Sequence, residues 1–260
     1  MIKCRLLFLL LLICGGAFAR DLSVNRIPGD HLGLTDSVKT GDPSTGRNRF
    51  CIRPYILPVS LVSTGLIVEF LPSNTVFSKE RIQQHVQDKM NGFSTSADNY
   101  LQFVPMAAMF GLKFAGVKSK SDLVNQAVIA VKSEILMTAI VNSMKYIIHD
   151  MRPDGSSDNT MPSGHTAQAF VSATLLDMEY RDTSPWISVG GYLCATATGF
   201  FRVANNRHWA SDVLIGAGIG IASVKTVYLT HRYRWGKMPG GVLVPVIYPN
   251  GGGVAFAMKF

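Results

Sequence analysis

Apolar positions along this chain gather into six runs, at about residues 55–71, 101–117, 123–148, 166–178, 186–203 and 213–229, each bounded by a short polar stretch. These runs read as helices. Small residues recur through the later ones, as in Gly216-Ala217-Gly218-Ile219-Gly220, which lets helices approach closely in a membrane or in a tight soluble bundle. The predicted class is all-α, a bundle of about six helices over residues 55–235.

The two ends follow other patterns. Residues 1–19 carry Lys3 and Arg5, an apolar run and then Ala17-Phe18-Ala19, the layout of a secretory signal peptide with its small-residue cleavage site. Ile13 is bulkier than the residue that lipoprotein processing at Cys14 wants, so a cleaved leader is expected instead. Residues 20–54 are polar and rich in Gly, Pro, Asp and Ser, an irregular lead-in. At the other end, residues 240–260 place two short apolar stretches around Pro249-Asn250-Gly251-Gly252-Gly253 and predict a β-hairpin tail. At 260 residues the chain can bury one sizeable core, and a single domain lies between these ends. Cys51 and Cys194 remain after leader removal; they could pair, but Cys194 sits in an apolar run where a buried thiol is expected.

Charge narrows the partners. The formal net charge of +8 keeps its sign once Lys3 and Arg5 are removed, which suits contact with anionic lipids or phosphates. Lys and Arg are scattered rather than striped with aromatics, so nucleic acid is not an expected partner. Most apolar runs fall short of the roughly 20 residues of a bilayer span or carry charges such as Lys113, Lys132 and Glu134. Two locations follow: an inner-membrane protein or a soluble periplasmic bundle. In the membrane case, leaving 55–71 unspanning puts Lys118-Ser119-Lys120 and His231-Arg232-Tyr233-Arg234 inside. The candidate site then faces the periplasm.

Three clusters carry candidate chemistry. Lys145 and Arg152 are seven apart, so a continuing helix would present both cations on one face until Pro153 stops it. Pro162-Ser163-Gly164-His165 precedes an apolar helix, so Ser163 and Gly164 sit at a helix N-terminus with free amides, a ready anion site, and His165 can protonate a leaving oxygen. His208 and Asp212 are four apart, which on a helix lets the carboxylate hold one ring nitrogen while Arg202 adds a third cation. Each cluster lies at the edge of an apolar helix, where one shared phosphate site can form.

At these residues the sequence resembles the type 2 phosphatidic acid phosphatase superfamily, which also holds bacterial acid phosphatases and vanadium haloperoxidases. The resemblance runs from Lys145, Arg152 and Pro153 through Pro162-Ser163-Gly164-His165 to Arg202, His208 and Asp212, with Phe201 standing where the family pattern has serine. It implies the helical fold of that superfamily and a phosphatase acting without a cofactor or metal. In it His208 would be the nucleophile, Asp212 would orient it and His165 would be the general acid. Lys145, Arg152, Ser163, Gly164 and Arg202 would bind the phosphate. An exported apolar bundle suits a lipid substrate, such as lipid A, phosphatidylglycerol phosphate, phosphatidic acid or an isoprenyl pyrophosphate; in this the chain is similar to bacterial lipid A 4'-phosphatases. The alternatives are a vanadate-dependent haloperoxidase or a non-catalytic anion- or lipid-binding protein.

Overall fold

The computed structural model describes residues 53–90 and 92–232 and, beyond them, only the backbone of Gly241–Tyr248 and Gly251–Met258. The expected signal peptide, the lead-in up to residue 52 and Cys51 lie outside the described residues. A short 3-10 turn, Arg53–Tyr55, opens onto helices α1 (Ile56–Phe70), α2 (Lys79–Lys89), α3 (Ala97–Leu101) and α4 (Val104–Phe114). Then come α5 (Leu123–Ile148), α6 (Gly164–Tyr180), α7 (Pro185–Ala204) and α8 (Ala210–Thr230). Gly241–Tyr248 pairs antiparallel with Gly251–Met258 in the backbone, and the expected hairpin tail and its packing stay a proposal.

Local sequence explains most boundaries. Ser78 and Asp122 accept from the amides of Arg81 and Asn125 and so start α2 and α5, and Pro185 occupies the first turn of α7, where a missing N–H costs nothing. Helix α5 stops where its apolar run stops and does not continue to Arg152. His149 takes a left-handed conformation, φ 44°, directly after Ile148, so Arg152 does not share a helix with Lys145. Helix α2 was absent from the sequence expectation because its residues, Lys-Glu-Arg-Ile-Gln-Gln-His-Val-Gln-Asp-Lys, form no apolar run. It is held by polar contacts instead: Gln83 donates to Val203 O and Gln87 to Val203 O and Ala204 O, filling carbonyls that α7 leaves open at its end.

Helix α6 is the axis of the bundle. It is buried along most of its length and packs against α4, α5, α7 and α8, with Val171 and Leu175 meeting Met109, Ile129 and Ile215. The glycines of α8 set its distance from two neighbours. A Cβ on Gly216 would lie 2.6 Å from Ser163 O and one on Gly220 2.4 Å from Ala167 O, so α8 presses backbone to backbone on α6. On its other side Gly218 meets Pro58 O, and Gly65 of α1 meets Ile215 in return.

Polar side chains share the apolar core, and large apolar ones cover part of the outside. Asn125, Gln126, Ser133, Ser172 and Thr174 are buried, while Val131 and Ile135 on α5 and Trp186 and Leu193 on α7 point outward, each more than half exposed. Helices α5 and α8 are long and apolar enough to cross a membrane. Cys194 is half-buried on α7.

Candidate active site

The three clusters meet at one end of the bundle, where α5 and α7 finish and α6 and α8 begin. The segment between α5 and α6 carries Arg152 and is tied to the start of α8 at several points. Thr160 Oγ1 donates to Asp212 Oδ2 at 2.5 Å, the Trp209 indole donates to Met151 O at 2.9 Å, and Ser163 N–H donates to Asp212 O at 3.1 Å. Within the segment, Lys145 Nζ reaches from the end of α5 to Asn159 O at 2.6 Å, and Arg152 N–H donates to Ser157 O. Lys145 and Arg152 thus converge through a loop rather than along a helix face.

His208 is 2% exposed and Asp212 fully buried. They are not on one helix as the spacing suggested. His208 precedes the N-cap Trp209, and Asp212 is the third residue of α8, where its Oδ2 also accepts from Trp209 N–H at 2.9 Å. His208 Nδ1 stands 3.4 Å from Asp212 Oδ2 and 3.1 Å from Thr160 Oγ1. Since the Thr160 hydroxyl spends its proton on Asp212, its oxygen is free to accept from Nδ1–H. That arrangement fixes the proton on Nδ1 and leaves the Nε2 lone pair for chemistry.

His165 lies in the first turn of α6, with Nε2 2.9 Å from Asn99 Oδ1. Arg202, in the last turn of α7, donates through Nη1 to Asp98 Oδ2 at 2.8 Å, a nearly buried pair. Asp98 and Asn99 of α3 therefore brace one cation and one imidazole. They stand more than sixty residues before the first cluster partner they touch, and no spacing in the sequence joined them to it. Thr160 was visible only as a hydroxyl two residues before Pro162.

Ser163 caps α6, its hydroxyl 2.9 Å from Thr166 Oγ1 and accepting from Thr166 N–H, and its own amide is engaged by Asp212 O. The amides of Gly164 and His165 occupy the first helical turn, where no carbonyl of the helix can receive them. Phe201 packs against Phe93, ring centroids 6.0 Å apart, so an aromatic contact takes the place of the family serine.

Charge in the site is concentrated and under-neutralised. Lys145, Arg152 and Arg202 lie within electrostatic reach of His208 or His165 and of one another. Burial, reinforced by Arg202 and only partly offset by Asp98, pushes His165 down from 6.5 to about 4. Burial also lowers His208, outweighing the attraction of Asp212. Both imidazoles are therefore neutral at pH 7 in the empty site. Because the unfolded chain takes up protons at ordinary histidine values first, stability is expected to be complete above pH 6.5 and to fall as pH drops toward 4. Melting of His165→Asn across that window should show a shallower fall than the wild type; an equal slope would refute the assignment.

Two buried guanidinium nitrogens, Arg152 Nε and Arg202 Nε, have no hydrogen-bond partner among the described residues. Leaving such donors empty is costly, and a tetrahedral anion carrying several acceptor oxygens would satisfy both. Metal binding fits less well. Glu69, Asp150 and Asp212 bring carboxylate oxygens within 4.8 Å of one another, but Lys79 Nζ already bridges Glu69 at 2.5 Å and Asp150 at 3.2 Å. That ammonium answers the charge a cation would need and ties α1 and α2 to the loop carrying Arg152.

Comparison with known proteins gives a family match over part of the chain. Residues 126–236 match the model of the PAP2 superfamily. The matched segment is a little under half of the chain. Over 130 residues, half of the chain, the sequence is 46% identical to lipid A 1-phosphatase of Porphyromonas gingivalis, and the match spans 29% of that relative's length. Two solved structures are similar. LpxE of Aquifex aeolicus is 21% identical, with 65% of this chain and 94% of that one covered and a TM-score of 0.39. The first transmembrane PAP2 type phosphatidylglycerolphosphate phosphatase, from Bacillus subtilis, is 18% identical, with 68% and 99% covered and a TM-score of 0.44. Lys145, Arg152, His165, Arg202, His208 and Asp212 all fall inside the PAP2 segment, whereas α3, with Asp98 and Asn99, precedes it.

Proposed function

We propose that this protein removes a phosphate group from a cell-envelope lipid through a phosphohistidine at His208. The observation that carries the reading is the pair of buried, unpartnered guanidinium donors in one cluster with His208, whose ring is held through Nδ1. In the first step Nε2 of His208 attacks phosphorus in line, forming the P–N bond as the ester P–O bond breaks. His165 gives its proton to the departing alkoxide. A water then attacks the phosphohistidine, losing its proton to His165, and inorganic phosphate leaves with both histidines restored.

Lys145, Arg152 and Arg202 hold the equatorial oxygens together with the Gly164 and His165 amides and the proton of the Ser163 hydroxyl. These donors stand fixed before the substrate arrives, so little reorganisation accompanies charge development. His165 is neutral in the empty site, and the dianionic phosphate that it faces raises its affinity for a proton, loading the acid when substrate binds. Asp212 and Thr160 keep His208 in the reactive tautomer.

The substrate class rests on two supports. The Porphyromonas gingivalis relative is named for lipid A 1-phosphate hydrolysis, and the outward apolar side chains of α5 and α7 suit a bilayer. The location is the inner membrane with the site toward the periplasm, since Lys118, Lys120 and Arg232 gather at the other end. The test is phosphate release from lipid A, phosphatidylglycerol phosphate, phosphatidic acid and isoprenyl pyrophosphate by the purified full chain in detergent. Release from at least one lipid, abolished with Arg152→Ala, is expected. A folded protein that releases none refutes the reading.

A further inference from the structure

At the end of the bundle opposite the catalytic residues, where α6 and α8 finish and α1 and α7 begin, a cleft of about 790 Å³ opens. Its lining includes four cationic side chains, Arg53, Lys120, Arg181 and Lys225, beside the phenols of Tyr192 and Tyr228. Helix α6 rises 1.5 Å per residue, so Arg181 stands about 24 Å from His165 and this cleft cannot serve the same phosphate.

Acids balance these cations only in part. Asp177 takes Arg181, and Glu179 behind the cleft is already occupied by Ser121 N–H, Gln126 and the Tyr228 hydroxyl. Lys225 has a thioether as its hydrogen-bond partner, Met178 Sδ at 3.1 Å, a poor acceptor for an ammonium. Lys120 lies over the Tyr228 ring at 5.5 Å, and Lys225 feels the attraction of Asp177, already paired with Arg181, against the repulsion of Arg181 and Lys120. Arg53 is exposed and makes no ion pair among the described residues. An ammonium so placed on an apolar helix marks a site for an opposite charge.

The rest of the lining says which anion. Leu57, Ile221 and Leu229 form much of the remaining wall, and Leu57, Tyr192 and Ile221 are shared with a second groove of about 400 Å³. That groove is almost wholly apolar, running between α1, α6, α7 and α8 past Leu61, Phe170 and Val213. A basic pocket leading into an oily channel matches a phosphate headgroup with an acyl chain attached. Free phosphate would leave the channel empty.

We propose that this cleft binds an anionic phospholipid as a resident ligand distinct from the substrate, with its phosphate among Arg53, Lys120 and Lys225 and an acyl chain along the groove beneath Tyr192. The proposal does not depend on the hydrolytic reading, because a protein without turnover would keep the same cleft.

Native mass spectrometry of the full chain in neutral detergent tests it, with phosphatidylglycerol and phosphatidylcholine as probes and inorganic phosphate as competitor. One phosphatidylglycerol should be retained per chain in preference to phosphatidylcholine, and inorganic phosphate should not displace it. Arg53→Glu with Lys120→Glu should weaken retention by at least roughly thirty-fold, reckoned from two lost cations. Arg152→Ala should leave it intact. Both charge changes lie on exposed side chains, and Arg53→Glu alone repeats the test outside the helices. Displacement by inorganic phosphate would show a free-anion site and overturn the lipid assignment. Loss with Arg152→Ala but not with the Arg53 and Lys120 changes would place the lipid in the catalytic pocket and overturn it as well. Lipid retention without any phosphate release would sink the proposed hydrolysis and leave this site standing.

Discussion

Replacing His208 with alanine is expected to abolish phosphate release, because in the proposed reaction its imidazole forms the bond to phosphorus. The buried ring is held by Thr160 and Asp212 through Nδ1, within electrostatic reach of Arg202 and Lys145. Removing the imidazole leaves the cradle intact, so the variant should still bind phosphate or vanadate with near-normal affinity. It should fail to accumulate acid-labile, base-stable labelled protein when given 32P-labelled substrate and quenched in the steady state. Turnover in His208→Ala at a wild-type rate would refute the covalent route, and so would label that persists in the variant. A separation of binding from turnover is what distinguishes a lost nucleophile from a collapsed site.

His165→Ala should lower the rate by about 10²–10⁴, the usual range for loss of general acid catalysis. The size of the loss should depend on the leaving group. An alkoxide departing from a lipid needs the proton, whereas a nitrophenolate leaves without help. The variant is therefore expected to retain far more of its activity on p-nitrophenyl phosphate than on a lipid phosphate. Equal losses on both would mean that His165 only shapes the site. The Asn99 contact makes this readout informative, since Asn99 Oδ1 holds Nε2 at 2.9 Å and orients the ring whether or not it carries the extra proton.

The helical architecture was legible because α5 through α8 are long and apolar, and the boundary of α5 at Leu123–Ile148 coincides with the run read from composition. Polar elements were not legible in the same way. Helix α2 is secured by glutamine side chains reaching the carbonyl end of α7, an interaction without periodic signature. The motif residues do converge, but two of the local geometries differ from the spacing argument. Arg152 sits in a turn because His149 ends the helix, and His208 meets Asp212 across an N-cap rather than along a helix face. Spacing of three or four residues brings side chains together in either arrangement, so the pairing was readable and its backbone was not. Asp98 and Asn99 escaped entirely, since a contact across a hundred residues leaves no mark on one sequence.

Those two residues also change where the working unit begins. The segment that matches the PAP2 superfamily starts at residue 126, yet the counter-ion of Arg202 and the partner of His165 both come from α3 upstream. Excised at the family boundary, the domain would keep every signature residue while its arginine lost the carboxylate that aims it and its acid lost the amide that orients it. The minimal fragment for the proposed reaction accordingly reaches upstream of the segment matched by the family, and a deletion series that stops at that border would mistake a missing brace for a missing activity.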